Sequence, residues 1–569
     1  MPGLALFFSL FAAFGFPAMG NADEILAELD LEEKVGQMLM AKVIEGPEGK
    51  PSSTSKQLVQ DLNAGSLLFY SFPDPGSTAR YTNLIQNWAE ESSSGLPVLI
   101  GADLEYGVRT NVQKGVTTLP QQMGLGATGK PRLARAAAAI TAKEARSMGI
   151  HWNFAPVADL NSNPNNPVIG VRSFGANPGP VGEFVRATVE GYQKNGLIST
   201  VKHYPGHGDT ETDSHYDLPV VKFGEEKLHE HLRPFRVAMD AGVDAVMTAH
   251  IIVDSIDPEL PATLSEEVIT GLLRQKQGYK GVVITDAMNM GALEHSFGKA
   301  EAAVRAVNAG ADVIMSAGSY WDALEIRNGL VEAVKQEEIS RERIDRSVKR
   351  VLQLKREYGL LSEDTFVEPA VAERICGSKD HRRTAAKLAA DAITLVRDRN
   401  QLIPIDKETH ELLLLGVKDS VYLLEDQLER FASDLDVTVY RTPGSGRYNN
   451  WSPSEAGIEK ATELATDADR VLILTYSSSV LSRRQSNMVK EVLDANKNLI
   501  VVAEGLPYDL KNFPEVPAYL ATYAYNRWNS PSNGHGPITT ATAKVVLGKT
   551  EAGGKLPVHR ETVEPPSKD

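Results

Sequence analysis

Eight short apolar, β-branched runs recur between residues 35 and 318, namely VGQMLM, AGSLLFY, LPVLIGAD, HWNFAPVADL, LISTVKHY, VDAVMTAH, KGVVITDA and ADVIMSAG. Longer amphipathic stretches, such as residues 131–149 and 299–310, separate them. Strands that are apolar throughout are buried on both faces, and buried parallel strands are joined by helical crossovers. Eight such units in succession predict a closed (β/α)8 barrel, with an open doubly wound sheet as the alternative. A barrel carries its chemistry at the C-terminal ends of its strands. Asp103 ends the third run, Asp159 the fourth, Lys202 and His203 the fifth, His250 the sixth and Asp286 the seventh. One charged strand end is ordinarily structural, but ionisable groups at five successive ends predict a site on one rim.

At 569 residues the chain is too long for one ordinary core. The helix-like run RERIDRSVKRVLQLKREYGLL and a Pro- and Glu-containing stretch at residues 367–369 mark a transition, and alternation resumes near residue 391. The runs AITLVRD, HELLLLGV, DVTVYRT, RVLILTY, NLIVVAEG and PAYLATYAY alternate with helical candidates, which predicts a parallel α/β/α sandwich. The PGSG at residues 443–446 is a turn signal without GxGxxG spacing, which argues against a nucleotide site. The expected organisation is a signal peptide over residues 1–20, a catalytic barrel over 21–365, a linker over 366–390 and a sandwich domain over 391–569.

Composition narrows the partners. A net charge of −15, with no basic run, argues against nucleic acid or an anionic membrane surface. Cys376 is the single cysteine, so neither an intramolecular disulfide nor a CxxC redox pair can form. The opening MPGLALFFSLFAAFGFPAMG has an apolar run followed by small residues, which reads as a secretory signal although no Lys or Arg precedes the run. Its brevity and its Gly15 and Pro17 argue against a stable membrane anchor. The expected location is secreted or periplasmic.

The chemistry concentrates in residues 202–219, KHYPGHGDTETDSHYDLP, which pack three imidazoles and four carboxylates around two glycines directly after a buried strand. Within it Asp213 lies two residues from His215, a spacing at which a carboxylate can orient an imidazole and raise its proton affinity. Asp286, at the end of GVVITDAMNM, can act as a nucleophile if the site keeps it ionised. An imidazole with an unperturbed pKa of about 6.5 can then protonate a leaving group and later deprotonate water. In glycoside hydrolysis this division of labour yields a covalent glycosyl-enzyme and net retention.

The KHYPGHGDTETDSHYDLP segment, together with PVIGVRSFG at residues 167–175, GVVITDAMNM, AITLVRDRNQLIPI and VLGKTEAGGKLPV, resembles family 3 glycoside hydrolases in their two-domain form. The pattern PGHGxTxxDSHxxLP is similar to that of the β-N-acetylglucosaminidase branch. The resemblance implies Asp286 as nucleophile, His215 as loop acid/base and Asp213 as its dyad partner. It also implies that Asp103, Arg172, Lys202 and His203 contact the hydroxyls of a terminal N-acetylglucosaminyl unit, with no cofactor and no metal. The family's third-strand loop reads DxEGGRVxR, whereas this chain has DLEYGVRTN. Asp103 and Glu105 match, Arg109 sits one place off the nearer arginine, and Asn111 replaces the farther one. The implied substrates are cell-wall or chitin-derived saccharides. The competing readings are a β-N-acetylglucosaminide phosphorylase, a metal-dependent hydrolase using His203, His207, Asp209, Asp213 and His215, and a non-catalytic sugar-binding protein.

Overall fold

The computed structural model describes residues 21–214, 217–294, 296–361, 365–445, 451–524 and 536–564. The segment expected as a signal peptide, residues 1–20, lies outside the described residues.

All eight apolar runs of the first half contribute strands: β1 Leu39–Lys42, β2 Ser66–Phe69, β3 Leu99–Ala102, β4 Trp152–Asn153, β5 Ile198–Tyr204, β6 Ala245–Thr248, β7 Val282–Ile284 and β8 Ile314–Ser316. Each pairs in parallel with the next, β1 pairs with β8, and a parallel bridge from Ile284 to Val313 closes the circle between β7 and β8. Helices such as Pro131–Ser147, Pro178–Gln193, Lys299–Ala309 and Arg341–Glu357 cover the outside. The interior is filled by Met40, Leu68, Trp152, Phe154, Ile198, Met247, Ile284 and Met315, while a second apolar layer lies between strands and helices. Filling from both sides explains the unbroken hydrophobic runs. Pairing of β5 with β6 skips from Val201 to Tyr204, so the ladder is interrupted where Lys202 and His203 stand.

Residues 369–392 carry two helices, Pro369–Ile375 and Lys379–Ala392, that lead to a second sheet. Its strands are β9 Thr394–Asp398, β10 Glu411–Gly416, β11 Asp436–Arg441, β12 Arg470–Ser477, β13 Leu499–Gly505 and β14 Ala518–Ala521, in the order β9-β14-β13-β12-β10-β11. One apolar cluster on each face packs against helices, giving three layers. The sheet is not wholly parallel, because β9 runs antiparallel to β14 at the edge. Run composition records burial and is silent on strand direction, and a reversed edge strand is common in such sheets. Gly444–Ser445, within the PGSG turn signal, forms a short antiparallel pair with Ser452–Pro453.

The two units are joined at the barrel rim. Tyr508 accepts a hydrogen bond from Asn161 Nδ2 at 2.7 Å, and the Pro557 carbonyl accepts one from Ala176 N at 3.1 Å. Gly175 has φ +153°, and an added Cβ would stand 2.2 Å from the Pro557 carbonyl oxygen, so only glycine permits this approach.

Candidate active site

The barrel rim surrounds a cavity of about 710 Å³, lined by Asp103, Glu105, Arg172, Lys202, His203 and Asp286 among others. Five of these were singled out from the sequence as strand-end or sugar-contacting groups, and the fold brings all five to one cavity. Glu105 is the group that ties the floor together. Its carboxylate accepts from Arg172 Nε at 2.9 Å and Nη2 at 2.7 Å, a bidentate pair, and lies 2.8 Å from Lys202 Nζ. Lys202, 2% exposed, also donates to Asp103 Oδ1 at 2.6 Å. Burial alone would push the Glu105 carboxyl up, but the Arg172 and Lys202 charges outweigh it and hold the group far below the usual carboxylate range. Lys202 is raised despite desolvation, by Asp103 and then Glu105. Glu105 and Lys202 are therefore ionised throughout the neutral range.

Asp159 and His250, the remaining strand-end groups, serve as supports. Asp159 is fully buried, receives the backbone N–H of His207 at 2.6 Å and stands 2.7 Å from His203 Nδ1. Because a carboxylate can only accept, Nδ1 carries a proton toward Asp159, and Nε2 stands 3.4 Å from Arg172 Nη2. His250 stands 2.8 Å from Thr263 Oγ1 and 3.0 Å from the Ala287 carbonyl, beside the strand end that carries Asp286. Desolvation raises the Asp286 carboxyl, yet His250, His203 and the Ala287 N–H at 2.7 Å together bring it below its ordinary value. It is thus an ionised carboxylate facing the cavity, the state a nucleophile requires.

The His-rich loop is fastened at its base. An added Cβ at Gly208 would stand 1.6 Å from the Leu160 carbonyl oxygen, so the loop passes the fourth strand end at backbone contact. Asn166, from the NSNPNNP run, donates to the His207 carbonyl at 3.0 Å and to the Thr210 carbonyl at 3.1 Å. His207 bridges Thr210 Oγ1 at 3.0 Å and Ser214 Oγ at 2.9 Å, and burial lowers its pKa to about 4, so the ring is neutral. Ser214 lines the cavity; Asp213 is half-buried and is not among the lining residues. His215 lies outside the described residues. Among the described residues no three His, Cys, Asp or Glu side chains are grouped as a metal ion would need. Asp209 is engaged instead by Ser162 at 3.0 Å and Lys227 at 2.6 Å.

Glu105, Tyr70 and Ser478 were not assigned a role from sequence, although all three line the cavity. Glu105 had a signal, its place two residues after Asp103. Ser478, just past β12, brings the second domain to the cleft, and its carbonyl oxygen is 3.0 Å from where a Cβ on Gly170 would stand. Arg109 is buried and donates to the Val112 carbonyl at 2.9 Å; it does not line the cavity. Among the described residues no helix is long and apolar enough to cross a membrane.

Comparison with known proteins agrees with this two-unit fold. Residues 30–354 match the glycosyl hydrolase family 3 N-terminal domain, and residues 393–565 match the family's C-terminal domain. A beta-hexosaminidase A of Pseudoalteromonas piscicida is 30% identical, with 95% of this chain and 99% of that protein covered. A beta-N-acetylglucosaminidase/beta-glucosidase of Cellulomonas fimi is 29% identical, with 94% of each covered. The solved structure of a family 3 beta-N-acetylglucosaminidase from Paenibacillus sp. str. FPU-7 superposes with a TM-score of 0.82 at 34% identity, covering 94% of this chain and 99% of that one. A barrel rim with an ionised carboxylate opposite a locked Asp-Lys-Glu-Arg floor, in a chain matched over both of its units, identifies a glycoside hydrolase of family 3.

Proposed function

We propose that this chain is a retaining exo-β-N-acetylglucosaminidase that releases terminal β-linked N-acetylglucosamine through a glycosyl-enzyme on Asp286. The observation that carries the reading is the pairing, in one cavity, of an ionised Asp286 with the interlocked Asp103, Lys202, Glu105 and Arg172. The beta-N-acetylglucosaminidases among its relatives support the choice of sugar. In this reading Asp103, Arg172, Lys202 and His203 bind the hydroxyls of the terminal sugar by charge-assisted hydrogen bonds. The Asp286 carboxylate bonds to the anomeric carbon as the glycosidic C–O bond breaks, and the leaving oxygen takes a proton from His215. His215, oriented by Asp213, then removes a proton from water, whose oxygen displaces the Asp286 ester.

The second domain walls one side of the cleft through Ser478. Residues 1–20 direct the chain out of the cytoplasm, toward cell-wall or chitin-derived saccharides; amino-terminal sequencing of the mature protein checks the export step. The reaction is tested with aryl N-acetyl-β-glucosaminide and aryl β-glucoside, assayed with and without phosphate, while product anomers are followed. The expected result is preference for the N-acetylated substrate, free sugar in both media and β product appearing first. Equal rates on the two glycosides, sugar 1-phosphate, or first-formed α product would each overturn it. His215→Ala is expected to slow poorly activated leaving groups more than good ones, since only the former need a proton.

A further inference from the structure

One large aromatic at the mouth of the cavity is unused by this mechanism. Tyr70 follows β2, lines the cavity and is 45% exposed, whereas Lys202 and His203 on the floor are 2% and 5% exposed. The backbone beneath it is held from several directions. Asn111 Nδ2 donates to the carbonyls of Phe69 at 3.2 Å and Tyr70 at 3.0 Å. Phe72 N donates to the Asn111 carbonyl at 2.8 Å, Gln113 N donates to the Phe72 carbonyl at 2.9 Å, and the Phe69 and Phe72 rings stack with centroids 4.4 Å apart. Lys42 Nζ lies over the Tyr70 ring, 5.6 Å from its centroid. Desolvation, and then the carboxylates of Asp103 and Asp286, push the phenol above its ordinary range, which keeps it neutral; all three residues line the same cavity.

An aromatic ring carried on a backbone already fixed in place costs less further ordering when a ligand covers it. Its face offers apolar area to the C–H face of a pyranose. In a cavity that takes the terminal sugar at its buried floor, the leaving group lies toward the mouth. We infer that Tyr70, braced by Asn111, is the platform on which the leaving-group sugar stacks, and that it sets the preference for saccharide over non-cyclic leaving groups. The inference rests on the glycosidase reading. It also gives Asn111, which departs from the family's loop pattern, a role as a positioning residue: its side-chain amide secures the two carbonyls that carry the platform.

The test compares kcat/KM on N,N′-diacetylchitobiose with that on methyl N-acetyl-β-glucosaminide, whose leaving group has no ring. Tyr70→Ala is expected to reduce the disaccharide-to-methyl ratio about three- to tenfold, mainly through KM. Tyr70→Phe should keep the ratio, since the ring and not the hydroxyl supplies the contact, and Asn111→Ala should lower it by a smaller factor. An unchanged ratio in Tyr70→Ala, or equal losses on both substrates, would overturn the platform. If the wild-type protein cleaves neither substrate, the glycosidase reading itself falls, and the platform with it.

Discussion

The barrel and the second sheet both end apolar parallel strands in polar side chains, yet the two ends are used differently. On the barrel rim Asp103, Lys202, His203 and Asp286 meet in one cavity. At the corresponding edge of the second sheet, Thr475 and Ser477 on β12 donate to the buried Asp509 at 2.8 and 2.6 Å, and Ser420 donates to Glu504 at 2.8 Å. These groups are satisfied within their own unit, and among the described residues of that edge Ser478 is the one that lines the cleft. The difference follows from closure. In a closed sheet every strand end points toward one axis, so charges from distant parts of the chain converge; along an open edge the same charges lie side by side and pair locally.

The sharpest way to break this contrast is at Asp286. Asp286→Asn should lower kcat/KM on an aryl N-acetyl-β-glucosaminide by at least about 10⁴-fold while the protein stays folded, checked by steady-state kinetics beside a melting curve. Activity within tenfold of wild type would mean that the convergent carboxylate is not the reacting group. Next is Glu105→Gln, which strips the buried Lys202 and the partly exposed Arg172 of a shared anion. It should cost about 3 kcal/mol in denaturant unfolding, the low end for a broken buried pair because Lys202 keeps Asp103, as well as lowering activity. A loss of activity without loss of stability would show that the floor is not interlocked.

The smallest effect belongs to the second sheet. Burial pushes the Asp509 carboxyl up to about 6, against an unfolded value of about 3.9. The folded state therefore holds this proton more tightly, so the associated stability is full below about pH 4 and is lost as pH rises to about 6. That loss amounts to about 2–3 kcal/mol. Asp509→Asn should flatten that limb of the stability–pH curve and leave kcat/KM within about twofold. A catalytic defect comparable to that of Asp286→Asn would erase the distinction between the two edges.

Much of this was legible in the sequence because burial writes itself into composition. Fourteen strands were marked by apolar runs, eight in the barrel and six in the sandwich. Of the polar residues ending the barrel runs, Asp103, Lys202, His203 and Asp286 line the cavity, with Arg172 carried by the family resemblance, whereas Asp159 and His250 stand behind it. What could not be read was relational. The reversal of β9 leaves no mark, because an edge strand is equally apolar in either direction. Glu105 reads as an ordinary acidic neighbour of Asp103 until the fold sets it between Arg172 and Lys202, residues 67 and 97 positions away. Ser478 reads as one serine in a serine-rich turn, and Tyr70 as the last member of an apolar run. The acid/base expected at His215 rests on the loop pattern, supported at its described base by the His207–Ser214 contact.

The grip of the Pro557 carbonyl on Ala176, with Lys555 N bound to the Ala127 carbonyl at 2.7 Å, has a practical side. The segment beyond the last strand reaches back to the turn bearing the guanidinium that holds Glu105. A tether on the segment at residues 555–557 is thus expected to pull on the turn at Ala176, and cutting the chain before residue 555 to release that turn while sparing every charged group that lines the cavity. A tether at the other terminus pulls on no such connection among the described contacts.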